Sequence, residues 1–429
     1  MPPRSRLLRN HDTSTVRASA RPGSAVHAFH QRLPGYEPTP LRDVPELAAA
    51  AGVGRVLVKD ESSRMGLPAF KILGASWATY RVLCERLGGE PSWDTLDDLA
   101  RVVADRLGPL TLVAATDGNH GRAVARMAKL LGLSSRILVP AGTADARIEG
   151  IASEGAEVVE VPGTYDDAVA VSASMAGERA LVVSDTSWPG YEDAPRWVIE
   201  GYATIFSEVD AQLAQDSGEE DDRAGDEVAA GDDDRADVGG VRDGQDRGDR
   251  GGIVVSAAGI EVPASAVLDV VVVPLGVGAL GAAAGACLRA GRGSGDGPML
   301  VGVEPESAAC VAAAVEAGHL VEVPGPHTSI MAGLNCGLAS MLALPRLTAT
   351  FDAFVAIDDD RCRDAIRALA SVGMDVGETG AAALAGLMAV VEDHRDELPI
   401  PRQATVLLLA TEGVTDPVSF EEIVGRPPG

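Results

Sequence analysis

Three lysines, Lys59, Lys71 and Lys129, are the only side chains of this sequence that could form an imine with an aldehyde. Arginine supplies the remaining positive charge and cannot replace them, because its guanidinium stays protonated. Lys71 follows a turn that contains glycine and proline, and it lies between Phe70 and Ile72 in a stretch expected to be buried. This placement makes Lys71 a candidate nucleophile, although a lone buried lysine is often an ion-paired structural residue.

The other two lysines have simpler interpretations. Lys129 lies in AVARMAKLL, a helical pattern whose polar positions face solvent. Lys59 ends the apolar run Val56–Val58 and can pair with Asp60 or Glu61. Lys71 is therefore the candidate on which a cofactor prediction depends.

Three loops each follow a buried apolar run, and in open α/β sheets ligands bind at the carboxyl ends of the strands. Thr116–Gly121 (TDGNHG) brings a hydroxyl, a carboxylate and an amide to a predicted helix N-terminus, which suits a carboxylate or phosphate. Leu275–Gly281 (LGVGALG) offers backbone N–H groups to a phosphate. Leu409–Pro417 (LATEGVTDP) places a hydroxyl at the tip of the last strand. Each loop alone is also explained as a turn or a helix cap, so the prediction depends on their combination.

The second loop also matches the spacing of a dinucleotide-binding GxGxxG fingerprint. Such a site needs an acidic residue about twenty residues later, after a further strand. Gly291–Met299 contains Asp296, but this stretch is rich in glycine and no strand precedes the aspartate. The loop is therefore predicted to hold a single phosphate, and a dehydrogenase is a distant alternative.

Composition excludes several classes of partner. The 429 residues carry a formal net charge of −27, which argues against nucleic acid and anionic membranes. Pro274 and several glycines interrupt the longest uncharged apolar run, Val270–Leu288, so no membrane span is expected. The N-terminal arginines precede no apolar segment, which predicts a loosely ordered arm and no secretory signal. The five cysteines are widely spaced, which predicts reduced, mostly buried thiols in a cytosolic protein, and no metal site is predicted.

Strands and helices alternate along most of the chain, which predicts parallel βαβ units. Ala25–Leu41 is predicted to be an extended entry segment, and a helix is predicted from Lys71 to Leu83. The other predicted strands are Arg55–Val58, Leu112–Ala115, Arg136–Val139, Glu157–Val161, Leu181–Val183, Val270–Val273, Leu300–Val303 and Thr405–Ala410. The other predicted helices are Val44–Ala51, Ala123–Leu131, Asp145–Glu154, Tyr165–Ala176, Trp197–Leu213, Ala282–Ala290, Arg361–Ala370 and Gly380–Glu392.

The alternation stops at Asp216–Gly252. Between Asp216 and Arg250 the sequence has fourteen Asp and Glu against five Arg, and hardly any large apolar side chain. Such a segment cannot bury enough surface to offset the entropy lost on ordering. A disordered acidic insertion is therefore predicted, with a cation-binding or partner-binding segment as the alternative.

A lysine after an entry segment, then TDGNHG, a glycine loop and a strand-end hydroxyl together resemble the fold-type II pyridoxal-phosphate enzymes. The resemblance is closer to the 2,3-diaminopropionate ammonia-lyases than to the serine or threonine dehydratases. It extends from about Phe29 to Pro417, apart from the acidic insertion, which that family lacks. The segments that carry it are KDESSRMGLPAFK, AATDGNHGR, DTSWPGYED (Asp185–Asp193), IMAGLNCG (Ile330–Gly337) and TEGVTDP.

This resemblance implies pyridoxal 5′-phosphate as the cofactor and assigns residues to it by position. Lys71 would bind it covalently as a Schiff base, with Phe70 against its ring. Asn119 would form a hydrogen bond with its 3′-oxygen, and Thr411 would face the ring nitrogen. A hydroxyl there leaves the ring nitrogen largely unprotonated, which suits β-elimination. The phosphate would be held by the N–H groups of Gly276, Val277, Gly278 and Ala279.

The resemblance also implies the reaction, an elimination of ammonia from diaminopropionate that yields pyruvate and a second ammonia. The substrate has a second, cationic amine, which Asp117 and Asp185 are placed by their motifs to receive. The family acts on both enantiomers, with Lys71 as the base for the L form and Asp117 for the D form. A helix cap before Trp188–Tyr191 is the alternative role of Asp185. A serine or threonine dehydratase and a non-catalytic ligand-binding relative are the alternative functions.

The implied fold class is α/β, with two open, twisted parallel-sheet domains and the active site between them. Residues 1–80 and 191–429 would form a large cofactor-binding domain that includes the insertion at 216–252. Residues 81–190 would form the small domain. The family also implies a cytoplasmic homodimer that acts on a small amino acid, with no nucleic-acid or membrane partner.

Overall fold

The computed structural model of the chain describes residues 5–10, 24–116, 118–229, 254–255, 261–262, 268–289 and 297–429. The strands are β1 (Ser5–Arg9), β2 (Leu41–Asp43), β3 (Arg55–Asp60), β4 (Thr111–Ala115), β5 (Ser134–Pro140), β6 (Glu157–Val161), β7 (Ala180–Val182), β8 (Val254–Val255), β9 (Glu261–Val262), β10 (Val270–Pro274), β11 (Met299–Pro305), β12 (Ala353–Ile357) and β13 (Thr405–Ala410). The helices are α1 (Ser24–His30), α2 (Pro45–Ala51), α3 (Lys71–Leu87), α4 (Leu96–Leu107), α5 (Asn119–Leu130), α6 (Asp145–Ala152), α7 (Tyr165–Ser174), α8 (Asp193–Gly201), α9 (Ala203–Ala229), α10 (Ala279–Leu288), α11 (Cys310–Ala317), α12 (Leu344–Thr350), α13 (Asp359–Ser371), α14 (Glu378–Asp393) and α15 (Pro417–Val424).

The chain divides into two compact units. The larger unit comprises residues 1–206 and 268–429, and the smaller unit comprises residues 207–267. The smaller unit contains most of α9 and the antiparallel pair β8–β9. Helix α9 continues to Ala229, into the first part of the segment predicted to be a disordered acidic insertion, and that prediction stays a prediction. The rest of the predicted insertion, residues 230–252, lies outside the described residues.

Seven strands form the larger sheet, in the order β1-β12-β11-β10-β13-β3-β2. The inner strands β12, β11, β10, β13 and β3 are parallel, and the edge strands β1 and β2 are antiparallel to their neighbours. Strands β10 (VVVVP) and β12 (AFVAI) are buried at every position. Such continuous apolar runs are typical of parallel strands covered on both faces. The predicted α/β class is confirmed, with two antiparallel edge strands that were not foreseen.

The N-terminal segment corrects another prediction. Ser5–Arg9 is not part of a loosely ordered arm, because it pairs with β12, with Ser5 opposite Ile357 and Arg9 opposite Ala353. The unpaired N–H and C=O groups of an edge strand favour such an addition. The entry segment likewise contains α1 and the beginning of β2, and the predicted helix Trp197–Leu213 is divided between α8 and α9. No element was predicted for the stretches that form β12, α4, α11, α12 and α15.

Four parallel strands form the second sheet, in the order β6-β5-β4-β7. All of them lie within residues 81–190, whereas the strands of the larger sheet precede or follow that range. Helix α3 runs without interruption across the predicted domain boundary at residue 80, and that boundary stays a prediction.

All five cysteines are buried. Within the described ranges, no helix has both the length and the apolar character needed to cross a membrane.

Candidate active site

A cavity lies where β4, β10 and β13 end, and the polar loops that follow these strands line it. Of the three lysines, only Lys71 lines this cavity. Lys59 is buried and donates a hydrogen bond of 2.7 Å to Thr39 O, and Lys129 lies 3.7 Å from the carboxylate of Glu154. The predicted site residues that the structure brings together around the cavity are Phe70, Lys71, Asn119, Asp185, Gly276, Val277, Gly278, Ala279 and Thr411. Asp117 lies outside the described residues.

Lys71 and Asp185 form an ion pair in this cavity. Lys71 Nζ donates a hydrogen bond of 2.8 Å to Asp185 Oδ2, and the side chains are 22% and 8% exposed, respectively. The hydroxyl of Tyr165 donates to Asp185 Oδ1 at 3.0 Å. His120 Nδ1 lies 3.9 Å from Asp185 Oδ2. One buried carboxylate is therefore surrounded by an amine, a phenol and an imidazole.

These neighbours determine the charge of Asp185. Burial alone would raise the pKa of this carboxyl group, but the charges of Lys71 and His120 lower it. The hydrogen bonds from Lys71 and Tyr165 add to the lowering, and the net pKa lies well below the usual value of 3.8. Asp185 is therefore ionised at neutral pH and presents a negative charge that suits a cationic group.

The loop that carries Asp185 is fixed by its own hydrogen bonds. The hydroxyl of Tyr191 donates to Val182 O at 2.8 Å and accepts from Ser184 N at 3.0 Å. Trp188 and Tyr191 form an antiparallel bridge. The alternative in which Asp185 caps a helix at these residues is therefore wrong, because they form a turn.

The glycine loop after β10 is a close-packed turn at the N-terminus of α10. Gly278 has φ of 97°, in the left-handed region that glycine adopts without strain. A Cβ atom on Gly278 would lie 2.6 Å from Leu347 Cδ1, and one on Gly276 would lie 3.2 Å from Gly333 O. Small residues are therefore required here, and backbone N–H groups at a helix N-terminus form an anion site that fits a phosphate.

Two further polar groups complete the cavity. Asn119 is the first residue of α5, and its Nδ2 donates a hydrogen bond to Glu412 Oε2. Thr411 follows β13, and its hydroxyl donates to Thr379 O at 3.2 Å. The cavity therefore combines the amine of Lys71, the N–H groups of the glycine loop, the amide of Asn119 and the hydroxyl of Thr411. This set of groups fits pyridoxal phosphate.

Tyr165 and Glu412 were not predicted from the sequence as site residues. Tyr165 was placed in a predicted helix, and no spacing distinguished it from a surface tyrosine. Glu412 immediately follows the selected Thr411, and this adjacency was the only signal for it. Both residues line the cavity.

Comparison with known proteins agrees with this geometry. The family described as pyridoxal-phosphate dependent enzymes matches residues 32–219 and 254–412. Diaminopropionate ammonia-lyase of Escherichia coli K12 is 31% identical over 97% of this chain and 94% of its own length. The enzyme of the same name from Salmonella typhimurium is 31% identical over 94% of this chain and 91% of its own length. The crystal structure of the Escherichia coli enzyme in complex with an aminoacrylate-PLP azomethine reaction intermediate superposes with a TM-score of 0.77 at 29% identity, covering 98% of this chain and 97% of that one.

The chain is a fold-type II enzyme that depends on pyridoxal phosphate. Its length is matched almost completely by the relatives, and their similarity extends across both sheets. Within that class, the chain belongs to the diaminopropionate ammonia-lyase family.

Proposed function

We propose that this enzyme eliminates ammonia from 2,3-diaminopropionate, with pyruvate and two molecules of ammonia as the products. One water molecule is consumed, because the three-carbon product of the elimination is hydrolysed to pyruvate and the second ammonia. The observation that carries the proposal is the contact between Lys71 and the ionised Asp185 in the cavity. Family membership supports the substrate.

The cavity residues would hold the cofactor from several sides. Lys71 would bind it covalently, and Phe70 would lie against its ring. The amide of Asn119 would donate to its 3′-oxygen, and Thr411 would face its ring nitrogen. When bound, the cofactor stabilises the carbanion that forms when the α-proton leaves. Its phosphate would be bound by the N–H groups of Gly276, Val277, Gly278 and Ala279.

Lys71 would remove the α-proton of the L enantiomer, because an uncharged amine at this position can act as a general base. Asp117 is proposed as the base for the D enantiomer on the basis of its position in TDGNHG. With one base at each face of the substrate, both enantiomers would react.

Asp185 would bind the cationic β-amine of the substrate and hold it for departure as ammonia. The carboxylate is ionised and its second oxygen accepts from Tyr165, which orients it. A serine or threonine substrate has a neutral hydroxyl at this position and gains little from a buried anion. This difference favours diaminopropionate over the dehydratase substrates.

The decisive experiment compares pyruvate release from D- and L-diaminopropionate with release from L-serine and L-threonine. We expect the wild type to prefer diaminopropionate. Asp185→Asn should lower kcat/KM for diaminopropionate by roughly a hundredfold, as the loss of a charge-assisted contact implies, and should affect serine less. Equal losses for both substrates, or a wild-type preference for serine or threonine, would favour a dehydratase. No turnover of any of them by protein that binds the cofactor would indicate a non-catalytic relative.

Three finer features are proposed with the family's function. The chain would be a homodimer located in the cytoplasm, and residues 1–80 with 191–429 and residues 81–190 would form separate large and small domains. Light scattering on the purified holoenzyme tests the dimer, and fractionation of the source cells tests the location. Expression of residues 81–190 alone tests whether the small domain folds independently.

A further inference from the structure

Glu412 is a buried carboxylate on the wall of the cavity to which the proposed reaction assigns no role. The residue is 1% exposed. Its Oε2 accepts a hydrogen bond from Asn119 Nδ2, and its Oε1 accepts one from Thr379 N at 3.2 Å. The carboxylate therefore joins the first residue of α5 to the second residue of α14.

The surroundings of Glu412 hold this residue in place, although burial raises the pKa of its carboxyl group, and the hydrogen bonds from Thr379 and Asn119 and the charge of Arg147 oppose that change. A Cβ atom on Gly380 would overlap Glu412 O, and one on Gly377 would lie 3.1 Å from Glu412 Oε1. Gly377 N also donates to Glu412 O at 3.2 Å. The N-terminus of α14 carries the positive end of a helix dipole, which stabilises an anion at this place. Backbone and side chain of Glu412 are thus both held in one position.

The chemistry of the pair fixes the orientation of the Asn119 side chain. Both oxygens of Glu412 accept hydrogen bonds, from Asn119 Nδ2 and from Thr379 N, whereas the Asn119 side chain has two donors on Nδ2 and an acceptor on Oδ1. Glu412 therefore selects the orientation in which Nδ2 faces it. The second hydrogen on Nδ2 is then available to another acceptor.

Glu412 is also connected through hydrogen bonds to Thr411, at the other end of the proposed cofactor site. Thr379, which donates its N–H to Glu412, accepts the Thr411 hydroxyl through its carbonyl oxygen at 3.2 Å. Asn119 and Thr411 are the two residues proposed to contact the 3′-oxygen and the ring nitrogen. A short path of hydrogen bonds through Glu412 and Thr379 thus connects them.

We propose that Glu412 is a positioning residue that aims the Asn119 amide at the cofactor. By accepting one hydrogen of Nδ2, it directs the other toward the 3′-oxygen. If the amide rotated, Oδ1 would face that oxygen and two acceptors would repel each other. The inference rests on the contact proposed for Asn119.

A double-mutant cycle on cofactor binding tests the inference. The affinity of the cofactor-free protein for pyridoxal phosphate is measured for wild type, Glu412→Gln, Asn119→Ala and the double variant. Glutamine is similar in size and can donate as well as accept, so it no longer selects one amide orientation. We expect each single variant to lose about tenfold in affinity, which corresponds to one hydrogen bond. The double variant should bind no more weakly than Asn119→Ala, because Glu412 acts through Asn119.

A second measurement follows the absorbance of the bound cofactor as a function of pH. Glu412→Gln and Asn119→Ala should shift the midpoint in the same direction, and the double variant should show no further shift. Independent losses that multiply in the double variant would overturn the inference, and so would a Glu412→Gln variant that binds like the wild type. An Asn119→Ala variant with unchanged affinity would overturn it together with the role of Asn119. Turnover of diaminopropionate is measured separately, so a failure of the proposed reaction is distinguishable.

Glu154→Gln is the matched control. Glu154 is also buried, and it accepts two hydrogen bonds from Arg126, at 2.6 and 2.8 Å, but it does not line the cavity. This variant should lose thermal stability and keep its cofactor affinity within about twofold. A comparable loss of affinity in Glu154→Gln would show that removal of any buried carboxylate has this effect, which contradicts the inference. If Glu412→Gln does not fold, Glu412→Asp replaces it in the double-mutant cycle. Aspartate keeps the carboxyl group, but its side chain is one methylene shorter, so the acceptor lies farther from Asn119.

Discussion

Lys71 Nζ and Asp185 Oδ2 are 2.8 Å apart, although 114 residues separate them in the chain. Lys71 begins α3, and Asp185 follows β7 of the four-stranded sheet. The ion pair therefore depends on the placement of that sheet beside the start of α3. When Lys71 binds an aldehyde, we expect Asp185 to keep its negative charge and to become available to the cation of the substrate.

Lys71→Arg separates the charge of the lysine from its nucleophilicity. Arginine can keep the ion pair with Asp185, but it cannot form an imine, because it stays protonated. We expect a folded protein that retains no cofactor after borohydride reduction, detected as the absence of the added mass. Pyruvate formation from diaminopropionate should fall by roughly a thousandfold or more, because a base and a covalent partner are lost together.

Lys129→Arg is the control for this experiment, because Lys129 is 56% exposed on its side chain and pairs at 3.7 Å with Glu154. The control should show the same added mass and the same turnover as the wild type. Recovery of the adduct on a different lysine in Lys71→Arg would contradict the assignment of Lys71.

Asp185→Asn should change the dependence of stability on pH in the cofactor-free protein. The pKa of Asp185 is lower in the folded state than the value of 3.8 for an exposed carboxyl group. Its ionisation therefore contributes stability that is fully present above about pH 4 and is lost as the pH falls below that value. We expect Asp185→Asn to be less stable than the wild type by roughly 1–3 kcal/mol at pH 7, because the ion pair with Lys71 is lost.

The free energies of unfolding of both proteins, measured in urea between pH 3 and pH 7, check this expectation. The difference between them should shrink below about pH 4, because the unfolded wild-type chain then takes up a proton that the folded protein does not bind. A constant difference over that range would mean that the pKa of Asp185 is the same in the folded and the unfolded protein, which contradicts the ion pair with Lys71.

Gly278→Ala tests the proposal that the glycine loop after β10 binds the phosphate of the cofactor. The φ of 97° costs any other residue roughly 1–2 kcal/mol, and the new methyl would also collide with Leu347. We expect lower stability together with a loss of affinity for pyridoxal phosphate of tenfold or more, since the N–H groups proposed to bind the phosphate would be displaced. The measurement is a cofactor titration of the cofactor-free protein.

Gly373→Ala is a control with the same backbone penalty. Gly373 has φ of 78°, and a Cβ atom there would have nothing within 4 Å. This variant should lose about 1 kcal/mol of stability and bind the cofactor normally. If both variants lose cofactor affinity equally, the loss in Gly278→Ala comes from lower stability of the protein. The proposal that the glycine loop binds the phosphate would then be wrong.

The parts of the fold that the sequence predicted are those encoded by local patterns. Strands β10 and β13 are continuous apolar runs, and the glycine loop between β10 and α10 follows from its composition. Strand β1 was missed because its pairing with β12 joins residues about 350 positions apart, and no local pattern shows such a register. The C-terminal part of helix α9 was not predicted, because the acidic composition after Asp216 indicates disorder.

The site was predictable to a similar degree. Lys71 and Asn119 were found because they lie in short segments with a recognisable order. Tyr165 and Glu412 were missed because their importance comes from contacts made in three dimensions. Tyr165 donates to an acid twenty positions away, and Glu412 accepts from an amide 293 positions away. Only the tertiary structure shows either partner.

Glu304 gives a prediction about stability that is independent of the active site. It lies in β11, is 1% exposed, and accepts hydrogen bonds from Val311 N and Ala312 N at 2.7 and 2.8 Å. Burial raises its pKa from 4.5 to about 8, although the two N–H groups oppose this change. The folded protein therefore keeps a proton that the unfolded chain releases above about pH 4.5.

The stability that Glu304 contributes is therefore fully present below pH 4.5 and is lost progressively as the pH rises to about 8. Glu304→Gln cannot titrate, and its amide oxygen can still accept from one of the two N–H groups. We expect its free energy of unfolding, relative to that of the wild type, to rise between pH 5 and pH 8 in urea titrations. Asp166 and Glu412 also have raised pKa values, but they are present in both proteins and cancel in the comparison. Parallel pH profiles for the two proteins would show that Glu304 is ionised in the folded state and that the helix N-terminus of α11 compensates for its burial.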